Sequence, residues 1–501
     1  VTVATIASHQ VRAGRTTELG LLVLALALGV GAYALVGLGT ADAVPTNWLG
    51  YAIGLTVLSL ALHGVLRWRA PYADPVILPL AVGLNGIGLA MIYRIDLAEE
   101  TGFSVRQLTW TALSMVLAAA VLVWLRDHRT LRRYTYVAML AGLVLLVLPL
   151  LPFIGATING ARIWVRVGGV GLQPAEFGKI ALAVFFAGYL VSNRDTLALA
   201  GPKLLGLQLP RARDLGPILL VWLVSLGVLV LERDLGTSLL FFGMFVAMLY
   251  LATERVSWVV IGLALFAGGA AAAASTFGHV AARFDVWLHA LDDEVYARSP
   301  GGSGQLVQGL WGMASGGLFG TGWGEGRPDL VPYAESDFIV ASLGEELGLT
   351  GLMAVLACYL VLVQRGLRTA IGVRDGFGKL LAGGLSFVIA VQCFVVVGGV
   401  TRLIPLTGLT TPFLAYGGSS LVANWVVVAL LLRISDEARR PAPAVRTVTP
   451  GGGTPTGGPG TGTPAHGTPV VTGTPVGPGV GRAGGDGDDD QPTEVVRGVP
   501  R

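Results

Sequence analysis

The chain has 501 residues, of which 53% are hydrophobic and only 13% charged, with a formal net charge of +3. That balance excludes a soluble globular protein and offers no basic surface for nucleic acid; it fits a polytopic membrane protein, where the distribution of Lys and Arg across the bilayer matters more than their sum. Cys358 and Cys393 lie far apart inside apolar runs, and His9, His63, His128, His279, His289 and His466 lack ligand spacing, so nothing supports a disulfide framework, a zinc motif or a histidine triad.

Apolar windows long enough to cross a bilayer recur about twelve times. They fall at roughly 19–38, 49–66, 75–93, 107–125, 134–152, 173–192, 215–231, 236–252, 257–276, 338–363, 380–402 and 417–433. The first follows Arg12 and Arg15 and precedes Ala41-Asp42-Ala43, which imitates a signal-peptidase site. Its length suits a retained anchor better than the shorter apolar core of a signal peptide. Positive residues concentrate in the even-numbered connections, among them Arg67 and Arg69, then Arg126, Arg129, Arg132 and Arg133, and later Arg365, Arg368, Arg374 and Lys379. Positive residues are retained in the cytoplasm. Both termini are therefore expected there, and the long connection 277–337 is expected outside. After Arg440 the composition turns to Gly, Pro and Thr with an acidic run Asp488 to Asp490, so residues 441–501 are expected to be a disordered cytoplasmic tail.

Three connections on the expected outer side are unusual. Between the fifth and sixth windows, Asn159-Gly160-Ala161-Arg162-Ile163-Trp164 leads to Gln173-Pro174-Ala175-Glu176-Phe177-Gly178-Lys179. Glu176 and Lys179 are three apart on a predicted helix and can pair inside the membrane, either as a structural ion pair or as part of a site. In 277–337, Phe284, Trp287, Leu288 and Leu291 fall at helical spacing among Arg283, Asp285 and Asp292. They predict a short amphipathic helix that lies on the membrane surface or packs against the bundle; the first would suit a lipid substrate. A glycine-rich stretch, 301–326, follows and allows tight turns. Next, Glu335 and Asp337 precede the apolar Phe338-Ile339-Val340, with Glu345 and Glu346 further on. Carboxylates at the edge of a span point to a functional site. Ser336 or Asp337 can also be read as an ordinary helix N-cap. Between the last two windows, Arg402 and Pro405 lead through Pro412 to Tyr416-Gly417-Gly418-Ser419-Ser420. Irregular backbone there would line a cavity, and the helix start can present N–H groups to a phosphate or be capped by serine. No base partner makes either serine a nucleophile.

Taken together, NGARIWVRVGGVGLQPAEFGK (159–179), DLGTSLL (234–240), SGGLFGTGWGEG (315–326), ESDFIVASLGEELGLTG (335–351) and PLTGLTTPFLAYGGSSLVANW (405–425) resemble the SEDS family of bacterial peptidoglycan glycosyltransferases, RodA and FtsW. The wording of 398–420 is most similar to RodA-type members from actinobacteria. The resemblance implies an all-α, SEDS-type bundle with a core of about ten spans in 75–440 and a large extracytoplasmic loop; residues 1–74, with two additional spans, precede it. It also implies an activity: polymerising lipid II into glycan strands, alongside a class B penicillin-binding protein and within membrane lipid. By position, Asp337 matches the family's proposed catalytic acid, Trp164 a functionally important tryptophan, and Glu176 and Lys179 a cavity pair. The chain departs from the pattern at Ile163, at Glu232-Arg233, at Ser336 and near Val396.

That reaction needs a base for a sugar hydroxyl and cations for a pyrophosphate leaving group. Asp337 is the expected general base, its pKa raised by burial beside other carboxylates. Arg162, Lys179 and Arg402 are the expected cations, in that order, and a divalent ion, Mg²⁺ or Mn²⁺, held by Asp337 and pyrophosphate oxygen can share the role. Glu335, Glu345 and Glu346 are supporting carboxylates, the last two as braces for the loop. Two other readings stay open: a lipid II flippase, since charged groups and broken helices inside spans also suit a transporter, and a scaffold that activates a partner transpeptidase.

Overall fold

The computed structural model describes residues 14–158, 161–194, 203–204, 207–208 and 212–441. Its fold is a helical bundle, and every apolar window falls on a helix: α1 Arg15–Ala41, α2 Trp48–Arg69, α3 Ile77–Glu99, α4 Phe103–Trp124, α5 Thr135–Val147, α6 Ala175–Ser192, α7 Ala212–Glu232, α8 Leu235–Thr253, α9 Val256–Thr276, α13 Ile339–Gly372, α14 Gly376–Val400 and α15 Gly418–Arg439. Among the described residues, 11 helical segments are long and apolar enough to cross a membrane, and α7 adds a shorter apolar stretch, Leu220–Glu232. The chain is a multi-pass membrane protein. Residues 442–501, where the tail was expected, lie outside the described residues, as do Asn159 and Gly160.

The centre of the bundle is α3, α6, α14 and α15, whose apolar windows are 78%, 72%, 72% and 89% buried, against 17% for the peripheral α9. Helices that are covered all round need no solvent-facing polar stripe, so polar residues that they carry, among them Lys179, Gln392 and Asn424, are buried. α1 lies along α3, and the two backbones meet at glycine: a Cβ added to Gly29 would stand 2.8 Å from the Gly86 Cα. Small residues at such a crossing permit the close contact that holds helices together in lipid.

A buried charge cluster fastens α1 to α2 and to the connection before α3. Glu18 of α1 takes the Arg15 guanidinium at 2.5 Å and His63 Nδ1 of α2 at 2.6 Å, with all three side chains under 10% exposed. Arg15 also donates to the Ala73 carbonyl, which Arg439 of α15 reaches as well, at 3.1 Å. Removing one member of a buried pair leaves the other charge uncompensated. Glu18→Ala is therefore expected to lose about 3–5 kcal/mol, read as a lower midpoint of thermal unfolding in detergent, whereas substitution at the exposed Val23 should not move it.

Between α5 and α6, beyond a 3₁₀ turn at Leu148–Leu150, the chain forms strands, a feature the all-α reading missed. β1 Gly155–Ile158, β2 Ala161–Val167 and β3 Val170–Leu172 form an antiparallel sheet in that order, with Trp164 opposite Ala156 and Arg166 opposite Gly171. A second ribbon pairs β4 Lys203–Leu204 with β5 Leu207–Gln208. The segment after α9 carries α10 Gly278–Leu288, α11 Asp293–Tyr296 and α12 Gly304–Gly316. α10 is the amphipathic helix, and it packs against the bundle: Arg283 donates to the Leu406 carbonyl at 2.8 Å and Trp287 Nε1 to the Arg402 carbonyl at 3.1 Å. Leu288 at its end and Leu291 beyond it are 55% and 63% exposed.

Candidate functional site

Asp337 stands in the turn just before α13. Tyr333, at φ 59°, bends the chain, and its carbonyl accepts from the Ser336 and Phe338 N–H groups at 3.1 and 3.3 Å. Phe338 is the residue at the N-cap position, and no side chain caps the helix there. The capping reading of Ser336 and Asp337 is thus not realised. Instead the Ser336 hydroxyl donates to Asp337 Oδ1 at 3.1 Å, and the carboxyl stays half-buried, with no cation bonded to it among the described residues. Burial pushes it up to about 6; the Glu335 charge adds to the rise, while Ser336 and the more distant Arg283 oppose it. Burial raises Glu335 as well, and its carbonyl accepts the Tyr416 N–H at 2.7 Å, tying this turn to the 402–417 loop.

The other two carboxylates of the loop do a different job. α13 breaks at Gly348, whose φ of 67° and ψ of −174° are open to glycine and where a Cβ would overlap the Gly320 nitrogen. The break frees the Glu345 and Glu346 carbonyls, which accept from the Thr321 and Gly322 N–H groups at 3.0 Å each. Their side chains continue the clamp. Glu346 takes Arg94 Nε of α3 at 2.8 Å and the Gly324 N–H at 3.1 Å, Arg94 donates to the Gly326 carbonyl at 2.6 Å, and Glu345 takes the Arg327 N–H at 3.1 Å. Loop 320–327 is thereby strapped to the first half of α13.

Behind this lies a buried polar network. Lys179 Nζ donates to Glu176 at 2.6 Å, to Gln392 of α14 at 3.0 Å and to Asn424 of α15 at 3.3 Å. Asn424 donates to the Ser420 hydroxyl at 3.3 Å, which also receives the Thr410 hydroxyl at 3.0 Å; Ser419 accepts the Gln173 N–H at 3.2 Å. Neither serine caps α15, whose N-cap position is Gly417, and a Cβ at Gly418 would overlap the Trp110 ring. So Glu176, Lys179 and Ser420 share one network through Asn424, with Ser419 next to it in sequence, and Asp234 feels the charges of both Glu176 and Arg283. Asp234 caps α8 by accepting the Thr237 N–H at 2.9 Å through one oxygen, and among the described residues its other, buried oxygen has no hydrogen bond. Arg283 lies in the electrostatic reach of both Asp234 and Asp337, whose charges oppose the fall in its pKa that burial causes.

The remaining predicted cations stand elsewhere. Arg162 and Trp164 sit on β2; among the described residues Arg162 has no ion pair, and its buried Nε has no hydrogen bond. Arg402, at φ 59°, donates to the Trp287 and Leu288 carbonyls at 2.8 and 2.7 Å, so its guanidinium closes the C-terminal end of α10. Among the described residues no three His, Cys, Asp or Glu side chains converge to hold a metal. Asp234, Arg283, Arg94, Gln392 and Asn424 were not named as site residues from the sequence. Gln392 and Asn424 carry a usable signal, because polar side chains inside apolar spans face partners or cavities.

The family model of the FtsW, RodA and SpoVE cell cycle proteins matches residues 76–440, nearly three-quarters of the chain. This chain belongs to that family. It is 50% identical over 435 residues to the peptidoglycan glycosyltransferase RodA of Mycobacterium tuberculosis, covering 85% of this chain and 92% of the relative. It is 32% identical over 380 residues to the stage V sporulation protein E of Bacillus subtilis, covering 73% and 98%. A solved structure described as showing structural coordination of polymerization and crosslinking by a peptidoglycan synthase complex shares the fold, with a TM-score of 0.59 and 23% identity, over 74% of this chain and 99% of the other. All the site residues named above fall in the FtsW/RodA/SpoVE region, whereas α1 and α2 lie before it.

Proposed function

We propose that this protein polymerises lipid II into glycan strands at the outer face of the cytoplasmic membrane, in cell-wall elongation, with Asp337 as general base. The observation that carries the reading is Asp337 itself: it is half-buried, unused for capping, raised to about 6, and within electrostatic reach of the Arg283 guanidinium. The concentration of Lys and Arg on the opposite connections supports an extracytoplasmic site and cytoplasmic termini. The relatives' names support the glycosyltransferase class.

In the reaction the acceptor hydroxyl gives its proton to Asp337 as its oxygen bonds to the anomeric carbon of the donor sugar. The bond from that carbon to the phosphate oxygen breaks, and polyprenyl pyrophosphate leaves with the electron pair. Proton removal contributes about 10²–10⁴ in rate, so charge stabilisation of the leaving group must contribute much of the rest. Arg162, whose Nε has no hydrogen bond, is the first candidate for that role. Lys179 is second, with its ammonium shared among three acceptors, and Arg402 is third because two backbone carbonyls already engage it. Any divalent ion at Asp337 would depend on substrate oxygen to complete its coordination. A class B penicillin-binding protein, which cross-links the strands, is the proposed partner.

The test uses purified protein in liposomes with labelled lipid II, alone and with that partner. Polymer from the wild type, and none from a folded Asp337→Ala variant, is the expected result. Labelled lipid II crossing the bilayer with no polymer under any partnered condition would overturn the reading in favour of a flippase.

A further inference from the structure

The two helices that precede the family region do more than thicken the bundle, because the end of α1 touches the loop that leads to Asp337. Gly39, in the last turn of α1, faces Trp323 and Gly324 so closely that a Cβ added to it would overlap the Trp323 carbonyl. The contact is reciprocal: Gly324, at φ 91°, would bring a Cβ to 2.9 Å from the Gly39 carbonyl carbon. On its other side the same stretch is held by the Glu346 carboxylate on the Gly324 N–H and by Arg94 on the Gly326 carbonyl. Loop 323–326 is therefore gripped between α1 and the Arg94–Glu346 pair. Its continuation runs through Arg327 and the Pro328–Leu330 turn to Asp337. α1 is fixed in turn by the Gly29–Gly86 crossing and by the Arg15–Glu18–His63 cluster, so it presents a rigid end to the loop.

We propose that Gly39 is a positioning residue for the catalytic loop: the end of α1 is a wall against which residues 323–326 seat, and this seat keeps Asp337 in register with the substrate. This rests on Asp337 being the base. A side chain at Gly39 must push the loop away, because what it meets is backbone rather than the tip of a flexible side chain. A shift of about 1 Å in a catalytic group can lose on the order of 100-fold in rate.

The experiment compares full-length Gly39→Ala and Gly39→Leu with Gly31→Leu, which lies on the same helix where a Cβ meets nothing within 4 Å. Amide exchange of residues 321–327 is followed by mass spectrometry, and polymerisation of labelled lipid II is measured from pH 5 to 8. Gly39→Leu is expected to speed exchange of the Thr321, Gly322 and Gly324 amides about tenfold and to lower kcat by about 10- to 100-fold. Its rate should also lose the acid limb near pH 6, as the displaced carboxyl returns toward the ordinary range. Gly39→Ala should fall between it and the wild type, and Gly31→Leu should match the wild type throughout. Unchanged loop exchange in Gly39→Leu, an equal loss in Gly31→Leu, or a fall in kcat with the acid limb unmoved would each overturn the proposal. If Asp337→Asn polymerised at the wild-type rate, the base assignment would fail instead, and the exchange arm would still decide whether α1 seats the loop.

Discussion

Asp337→Asn is expected to reduce glycan polymerisation by about 10²–10⁴-fold while leaving the protein more stable at neutral pH. The two effects share one cause. Burial disfavours the carboxylate and moves its pKa to about 6, so the folded protein binds that proton more tightly than the unfolded chain does. A raised acid contributes its full stability below the unfolded pKa of about 4 and loses it as pH rises through the folded value; above about 6 the whole penalty is present. Asparagine keeps the shape and removes the charge, so the variant should gain about 1–2 kcal/mol at pH 7, after allowance for the solvent that reaches a half-buried group. For the wild type the reaction needs the ionised form, and the rate should fall about tenfold per unit once the pH drops below about 6. A pH series of initial rates checks the limb, and thermal melts of the pair at pH 7 check the sign of the stability change. A variant that is inactive and less stable would mean that Asp337 holds the turn together rather than storing an unfavourable charge for catalysis.

The spans were legible because a bilayer imposes a length and a composition that few other settings share. All twelve windows fall on helices, most with ends within several residues, whereas α13 runs well past its window to Gly372. What composition concealed was structure made by pairing rather than by periodicity. Ile163, Trp164 and Val165 could belong to a loop or a strand until Gly155 and Leu172 are seen opposite Val165. The site divides in the same way. Asp337 stood out because a carboxylate next to a span is rare, and Glu176 with Lys179 because three residues place them on one helical face. Asp234, Arg283 and Gln392 come from distant segments, so only tertiary packing brings them near the others. Glu345 and Glu346 were expected to brace the loop, but the backbone contacts through which they do so were not legible. Those contacts follow from the break at Gly348, and a single glycine in an apolar run does not announce a positive φ.

Whether the Glu176–Lys179 pair is scaffold or machinery can be decided by separating stability from rate. Lys179→Met is expected to lose about 3–5 kcal/mol, because it leaves the Glu176 carboxylate buried with its cation gone. Glu176→Gln should be milder, since Gln392 and Asn424 still accept from the ammonium. The double variant Glu176→Gln with Lys179→Met removes both charges and should recover most of the lost stability, as replacing a whole buried pair by neutral groups often does. Its rate carries the answer. If the pair only holds α6 against α14 and α15, polymerisation should return together with the melting temperature. If the ammonium also steadies developing negative charge on the pyrophosphate, the double variant should fold like the wild type yet remain slower by about 10²–10³-fold, the loss typical of removing one preorganised charge-stabilising group. The second result is the expected one. Three acceptors on one ammonium match its three N–H donors, and together they fix the direction of its charge. An electrostatic catalyst needs such a fixed direction, because a charge that must reorient during the reaction stabilises the transition state less.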